Sequence, residues 1–149
     1  MSAQSYTTAF TTDRSPGEVF AAINDVRAWW SGKIEGNTRQ LGDEFVYRYE
    51  DVHYSKQKLT EIVPGKRVVW HVVDGHLSFV DDKQEWRDTQ IVFDIAEKAG
   101  KTEVRFTHVG LVPSGECYGA CSSGWNAIIN GNLRNFIASG EAQPDPFAA

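Results

Sequence analysis

The sequence predicts an α+β fold, in which a curved antiparallel sheet of six or seven strands wraps around one long C-terminal helix. Residues 44–109 alternate apolar and polar side chains, which is typical of an antiparallel sheet with one face in water. Residues 117–139 instead repeat apolar side chains every three or four positions, which is typical of a helix. The helix must bury its apolar stripe against the apolar face of the sheet, and this is a helix-grip arrangement.

A strand and two short helices open the chain. Residues 5–12 are rich in β-branched and aromatic side chains, which favours a first strand. The start of the next helix is well marked, because Ser15 is a suitable N-cap, Pro16 suits the first helical position and Glu18 completes a capping box. We expect the two short helices at the end of the sheet that does not close.

The second short helix contains two adjacent tryptophans, Trp29 and Trp30. Gly32 and Gly36 are expected to end this helix. Adjacent side chains point about 100° apart on a helix, so the two indole rings cannot face the same way. One ring can pack in the core, which leaves the environment of the other to be explained.

The β region contains six candidate strands, separated by turn residues such as Pro64 and Gly65. The candidate strands cover residues 44–50, 58–63, 67–73, 76–80, 89–97 and 102–110. The last two read as a hairpin, in which alternation places Phe93, Phe106 and His108 on the same apolar face.

The long helix is predicted from near Cys117 to Ser139, with Gly140 as its C-terminal stop. Residues 1–140 are expected to form a single domain, because a chain of 149 residues suits one domain and no linker or repeat divides it. Residues 141–149 are expected to form a flexible tail.

The composition is that of an ordinary globular chain and argues against several functions. The formal net charge is −5 without long runs of one sign, which argues against binding to nucleic acids or to an anionic membrane surface. No apolar run approaches the roughly 20 residues of a membrane span, and no secretory signal is visible. No pair of histidines has the spacing of a metal site. We therefore expect a cytoplasmic protein without a cofactor or metal ion.

Four motifs follow one another along the chain: SPGEVFAAI with the later WW, EIVPGKRVVW, TEVRFTHVGL and GWNAIINGNLRNFI. In this order they resemble the SRPBCC superfamily, the START and birch-pollen-allergen-like proteins, from about Tyr6 to Ser139. Within it, the chain is most similar to bacterial relatives of the AHSA-type activators of a heat-shock chaperone ATPase. The resemblance implies a helix-grip fold with a cavity between the long helix and the sheet.

The resemblance also implies which side chains face this cavity. The candidates for ligand binding are Trp30, Tyr47, Tyr49, Trp70, Phe93, Phe106, His108, Trp125 and Ile129. One of the two adjacent tryptophans would pack under the short helices, and the other would lie at the cavity mouth. The alternative for the second ring is a half-exposed position on a short helix, and which ring is which stays open.

His108 and Glu61 are the candidate catalytic residues. Strand parity places His108 inward with Phe106, where it could bind a ligand carbonyl or act as a base, unless it is a core histidine bonded to the backbone. Glu61 shares parity with Leu59 and faces the cavity if Leu59 does, where its pKa would be raised. If Ile62 is the inward residue instead, Glu61 is solvated, and we favour this position.

Cys117, Cys121 and Trp125 are spaced four residues apart and share one face of the predicted helix. The two thiols could react at the cavity, by oxidation or by binding a soft metal. A disulfide between positions four apart would distort a helix. The alternative is that both cysteines are small apolar side chains that fill the helix start.

Three functions stay open at this point. The leading hypothesis is a module that binds a hydrophobic or aromatic small molecule, because the inward side chains are aromatic with few polar groups. The alternative is an enzyme of the cyclase or dehydratase type that moves a proton with His108 or Glu61, although no nucleophile motif supports an enzyme. The resemblance further implies a co-chaperone-like domain, with a chaperone or a second copy of the chain as its partner.

Overall fold

The computed structural model describes residues 5–30, 32–81 and 83–143. Within these ranges the strands are β1 (Tyr6–Thr12), β2 (Lys33–Gly36), β3 (Glu44–Tyr49), β4 (His53–Val63), β5 (Arg67–Leu77), β6 (Gln90–Lys98) and β7 (Lys101–Val109). They form one antiparallel sheet in the order β1-β7-β6-β5-β4-β3-β2. The predicted α+β fold is confirmed, and the first connection crosses the whole width of the sheet.

The described residues also contain the helices α1 (Pro16–Asn24), α2 (Tyr118–Ala127) and α3 (Arg134–Ser139), and a short 3₁₀-helix at Val26–Ala28. The helix α1 begins as predicted. The Ser15 hydroxyl accepts the Glu18 backbone N–H at 3.2 Å, and the Glu18 carboxylate accepts the Ser15 N–H at 3.4 Å. This capping box satisfies two N–H groups that the first helical turn leaves unpaired.

The helices α2 and α3 are two parts of the predicted C-terminal helix, joined without a break by a π-helical segment at Ile128–Leu133. Such wide turns occur frequently at functional sites. Inside this segment Asn132 is buried, and its Nδ2 donates to the Trp29 carbonyl at 3.1 Å. The helix ends at Gly140, whose φ of +74° suits glycine, as the sequence predicted.

Local predictions are wrong at three places. Gly32 and Gly36 do not end a helix: Gly32 precedes β2 and Gly36 is its last residue. This strand pairs with β3 and is too short for its alternation to show in the sequence. Residues 76–80 are not a separate strand, because β5 continues to Leu77 and the chain then leaves the sheet. The strand predicted at residues 58–63 begins earlier, because β4 starts at His53.

The core lies between the inner face of the sheet and the long helix. As predicted, the alternation in β6 and β7 buries Ile91, Phe93, Ile95, Val104, Phe106 and His108. The helix contributes the buried side chains Trp125, Ile129, Leu133 and Ile137. Burying one large apolar side chain stabilises the folded state by about 1.5–3 kcal/mol, so these two stripes hold the helix in the curve of the sheet.

The predicted tail, residues 141–149, lies partly outside the described residues. In its described part, the Gln143 N–H donates to the Ala28 carbonyl at 2.8 Å. The division into a domain of residues 1–140 and a flexible tail stays a prediction. In the part of the chain that the structure describes, no helix is long and apolar enough to cross a membrane.

Candidate ligand-binding site

A pocket of about 270 Å³ opens to the surface between α2, β3 and the connection from β5 to β6. Its wall is mainly aromatic and contains Trp30, Tyr47, Phe79, Trp86 and Trp125. Four of these rings are buried, and only Phe79, at the rim, is substantially exposed, by 48%. We call these five side chains the aromatic wall.

The two adjacent tryptophans occupy different environments, although both are buried. Trp29 lies in the core, and its Nε1–H points to the carbonyl oxygens of Ala22 at 3.1 Å and Ile23 at 3.2 Å. Trp30 belongs to the aromatic wall and stacks on Tyr47, with 3.9 Å between the ring centroids. The second ring is therefore not half-exposed on a short helix but forms part of the pocket.

The aromatic wall continues inward as a stack of rings. Trp30 lies 5.1 Å from Trp125 and 5.9 Å from Trp70, measured between centroids. Trp86 stacks on Trp125 at 5.6 Å with an interplanar angle of 13°. Each such pair contributes about 0.5–1.5 kcal/mol beyond the burial of its area. The stack thus gives the pocket a rigid floor as well as flat sides.

The predicted ligand-binding residues divide into three groups. Those that line the pocket are Trp30, Tyr47 and Trp125. Those buried behind it are Trp70, Phe93, Phe106, His108 and Ile129. Tyr49 is half-buried at the end of β3 and does not line the pocket. Part of the cavity that the resemblance implies is therefore filled by the protein's own rings, and ligand binding by any of these residues stays a prediction.

His108 is fully buried, and both nitrogens of its ring form hydrogen bonds. Its Nδ1 accepts the indole N–H of Trp125 at 3.0 Å. Because an indole can only donate, the imidazole proton must lie on Nε2, which donates to Thr89 Oγ1 at 2.8 Å. The Thr89 hydroxyl in turn donates to the Trp86 carbonyl at 2.5 Å. This chain of hydrogen bonds fixes two tryptophans of the aromatic wall.

The surroundings of His108 keep its ring neutral. Burial, and to a smaller extent the nearby His53, lowers the pKa of His108 to about 3. The Trp86 ring meets the imidazole edge-to-face, with 4.6 Å between centroids. A neutral imidazole with both nitrogens hydrogen-bonded is a positioning group for the aromatic wall.

Glu61 lies on the outer face of the sheet, away from the pocket. Its carboxylate is 3.2 Å from Arg67 Nε, and its side chain is 48% exposed. The pairing of β4 with β5 shifts by one residue between Leu59 and Glu61, so Thr60 is an extra residue. This bulge breaks the parity argument, because Leu59 is buried while Glu61 is not. No acid–base pair of Glu61 with His108 is formed.

A sequence model of the family "Activator of Hsp90 ATPase homolog 1-like protein" matches residues 13–138. The chain belongs to this family. The resemblance inferred from its motifs is thereby confirmed. No curated protein sequence matches the chain significantly.

Solved structures agree with the family's fold. The Aha1 dimer from Colwellia psychrerythraea has a TM-score of 0.73 at 21% identity, and the match covers 92% of this chain and 98% of that one. CalU16 from Micromonospora echinospora has a TM-score of 0.66 at 18% identity, over 93% of this chain and 78% of that one. DynU16, from the dynemicin biosynthetic locus, has a TM-score of 0.67 at 16% identity; the match covers 91% of this chain but only 48% of DynU16. At such identities the likeness shows the fold alone.

Like Phe79, Trp86 is a member of the aromatic wall of this AHSA1-family chain that sequence reasoning missed. It lies in the irregular connection between β5 and β6, where no periodicity marks an inward position. It packs over Gly75, where a Cβ would lie 3.4 Å from the Trp86 Cβ, an ordinary packing distance. A tryptophan in a connecting segment was the only sequence signal for this part of the aromatic wall.

A short polar row lies beneath the aromatic wall on β4. His53 Nε2 is 3.0 Å from Ser55 Oγ, and Gln57 Nε2 donates to the same oxygen at 2.6 Å. The His53 ring packs edge-to-face against Trp86 and Tyr47, at 4.5 and 4.9 Å. Burial lowers the pKa of His53 to about 3, so it too is neutral.

Buried polar atoms without a partner mark the same region. In the described part of the chain, Trp86 Nε1, Trp70 Nε1 and Gln57 Oε1 are buried and form no hydrogen bond. Each costs about 1–3 kcal/mol relative to a satisfied group. Trp86 combines such a donor with a ring that lines the pocket.

Cys117 and Cys121 are joined as a disulfide, with 5.4 Å between their Cα atoms. Cys117 precedes α2, so the bridge closes only the first turn and spares the regular helix behind it. They are therefore more than two small apolar side chains at the helix start. Among the described residues, no group of three or more histidines, cysteines and carboxylates is arranged to hold a metal ion.

Proposed function

We propose that this protein binds a small, flat, largely apolar molecule in the pocket beneath α2. The observation that carries the proposal is the aromatic wall, whose stacked rings are held rigid yet border a space open to the surface. Ligand sites are typically concave and apolar with a few placed polar groups. A volume of about 270 Å³ suits a ligand of one or two rings better than a long acyl chain.

The aromatic wall supports recognition by stacking with one directional contact. A planar ring that stacks on a wall tryptophan gains about 0.5–1.5 kcal/mol beyond its buried area. The Trp86 indole N–H is buried and has no partner, so a ligand with a carbonyl or ether oxygen would gain a hydrogen bond if its binding uncovers this donor. We infer an aromatic ligand that carries at least one acceptor oxygen.

The geometry supports binding over proton transfer. His108 is neutral, and both of its nitrogens are occupied by Trp125 and Thr89. Glu61 is ion-paired with Arg67 on the outer face. A cyclase or dehydratase would need an acid–base group that reaches the pocket. We therefore propose a binding module in the cytoplasm, in which His108 holds the wall in place.

A protein partner is the second candidate, and the exposed rim residue Phe79 favours it. The family is named for its likeness to a homologue of an Hsp90 ATPase activator, and the Colwellia structure is described as an Aha1 dimer. A chaperone or a second copy of the chain would cover Phe79 without entering the pocket. A bound ligand would change the surroundings of the buried rings of the aromatic wall. A docked partner would change only the surroundings of the rim residue Phe79.

The experiment is a titration of the purified protein with anilinonaphthalene sulfonate and a panel of one- and two-ring aromatics, followed by tryptophan emission. We expect saturable quenching, and weaker binding by Trp125→Phe, which loses ring area in the wall. Val109→Ala is the matched control, because Val109 is exposed and does not line the pocket. A panel without any saturable response, with Trp125→Phe identical to the parent, would show that the proposal is wrong.

A further inference from the structure

The disulfide lies in the wall of the pocket rather than at a remote surface. Cys121 lines the pocket and is 8% exposed, whereas Cys117 is completely buried. Their Cα separation of 5.4 Å lies within the usual range for a disulfide. The backbone N–H of Cys121 also donates to the Cys117 carbonyl at 2.7 Å, so the two residues stay close whether or not the sulfurs are bonded.

The turn that carries Cys117 is tied to the opposite wall of the pocket. The Glu85 carboxylate accepts the backbone N–H groups of Glu116 at 2.7 Å and Cys117 at 2.9 Å. Glu85 directly precedes Trp86, which belongs to the aromatic wall. The start of α2 and the connection from β5 to β6 therefore form one unit, and a change at Cys117 reaches both sides of the pocket.

We propose that Cys117 and Cys121 form a reversible dithiol–disulfide pair whose state sets the affinity of the pocket. The co-reactant is a small-molecule disulfide such as oxidised glutathione. The Cys121 thiolate attacks one sulfur of that disulfide and releases one small thiol, which leaves a mixed disulfide on Cys121. The Cys117 thiolate then attacks the Cys121 sulfur and releases the second thiol. The two protein thiols are oxidised, one disulfide is reduced to two thiols, and the two protons pass to them.

The difference in exposure sets the order of the two steps. Only Cys121 borders the open pocket, so an external disulfide reaches it first, and the buried Cys117 resolves the intermediate. In the cytoplasm most thiols are kept reduced, so the bridge would form on an oxidative challenge and open again afterwards.

The effect on affinity rests on the proposed function. A closed bridge fixes the first turn of α2 beside the pocket. Binding to a fixed wall costs less conformational entropy than binding to a wall that the ligand must order. The oxidised protein should therefore bind the dye anilinonaphthalene sulfonate more tightly than the reduced protein, by about fivefold or more.

The first test follows the masses of the intact parent, Cys117→Ser and Cys121→Ser after treatment with oxidised glutathione. We expect the parent to lose two hydrogens and keep no glutathione, Cys117→Ser to retain one glutathione, and Cys121→Ser to stay unmodified. Both variants should react once unfolded in guanidinium, which shows that burial is the cause. A parent that keeps both thiols, or a folded Cys121→Ser that is modified while Cys117→Ser is not, would overturn the proposal.

The second test compares dye affinity in the reduced and oxidised parent, with the double variant Cys117→Ser/Cys121→Ser as the control that cannot respond. Equal affinity in both states would overturn the regulatory half and leave the proposed function standing. If the dye binds in neither state, the proposed function fails and the regulatory half fails with it, while the exchange chemistry is still judged by the masses.

Discussion

Two buried tryptophans, Trp29 at the core end and Trp86 at the pocket end of the packed aromatic rings, lie in different surroundings. At the core end, the Trp29 indole N–H faces two backbone carbonyls, those of Ala22 and Ile23. At the pocket end, Trp86 is almost as buried, but in the described part of the chain its indole N–H has no partner. The core end thus contributes stability, whereas at the pocket end a buried donor without a partner costs about 1–3 kcal/mol. This is the difference expected between a packing residue and a binding residue.

The largest effect should come from truncating the core end. Trp29→Ala removes a fully buried ring together with its hydrogen bonds, and the cavity left behind should destabilise the fold by about 3–5 kcal/mol. Urea unfolding of the variant and the parent gives this free energy. A loss below 1 kcal/mol would place Trp29 outside the core.

Acidification should destabilise the folded protein, because His108 and His53 are buried in their neutral form. The folded-state pKa of His108 is lowered to about 3 by burial, whereas its ordinary value is 6.5. Between these values the unfolded chain binds more protons, so the stability is fully present above about pH 6.5 and is lost as the pH falls towards 3. The loss for His108 alone should be about 2 kcal/mol at pH 5, and His53 adds to it.

His108→Gln is the control for the pH dependence. The variant should unfold with a flatter pH profile than the parent, because one of the two neutral histidines is gone. An amide can keep part of the hydrogen bonding to Trp125 and Thr89, so we expect a loss of about 1–3 kcal/mol at neutral pH. Identical pH profiles for the variant and the parent would show that His108 is not the titrating group.

At the pocket end, Trp86→Phe should weaken ligand binding with little loss of stability. The variant removes an unpaired N–H, so any loss of packing is offset by the removal of an unsatisfied donor. For a ligand with an acceptor oxygen, affinity should fall about threefold to tenfold, which corresponds to one modest hydrogen bond. Trp29→Phe is the matched variant and should do the reverse, lowering the melting temperature while sparing affinity.

The smallest effect should follow Glu61→Gln. Its exposed ion pair with Arg67 is worth at most about 1 kcal/mol. Glu61 is not among the residues that line the pocket. Dye affinity should be unchanged within error. Added salt should reduce the difference in unfolding free energy between the variant and the parent. A marked loss of affinity in this variant would mean that Glu61 serves the pocket after all.

The sequence predicts the regular half of the molecule well. Alternation in β6 and β7 and the apolar stripe from Trp125 to Ile137 suffice for the sheet, the helix and their contact, because these patterns repeat over many residues. The capping box of Ser15 and Glu18 was predictable for a different reason, because a local hydrogen bond leaves a local signature in the sequence.

The pocket was less predictable because it depends on features that do not repeat. The extra residue Thr60 turns the Glu61 side chain to the opposite face of the sheet, and no sequence pattern predicts such a bulge. Trp86 reaches the pocket from an irregular connection, through contacts distant in sequence such as Gly75. The filling of the expected cavity by Trp70 and Phe93 is likewise a property of packing, which composition alone does not determine.

The most direct test of the binding proposal uses the five indole N–H signals of the tryptophans in a proton–nitrogen correlation spectrum. Titration with a one- or two-ring aromatic ligand should shift the signals of Trp30, Trp86 and Trp125, with the largest change at Trp86. The signal of Trp29, bonded to the backbone in the core, should stay in place. A ligand that moves the Trp29 signal as much as that of Trp86, or that saturates without moving any wall tryptophan, would contradict binding at the aromatic wall.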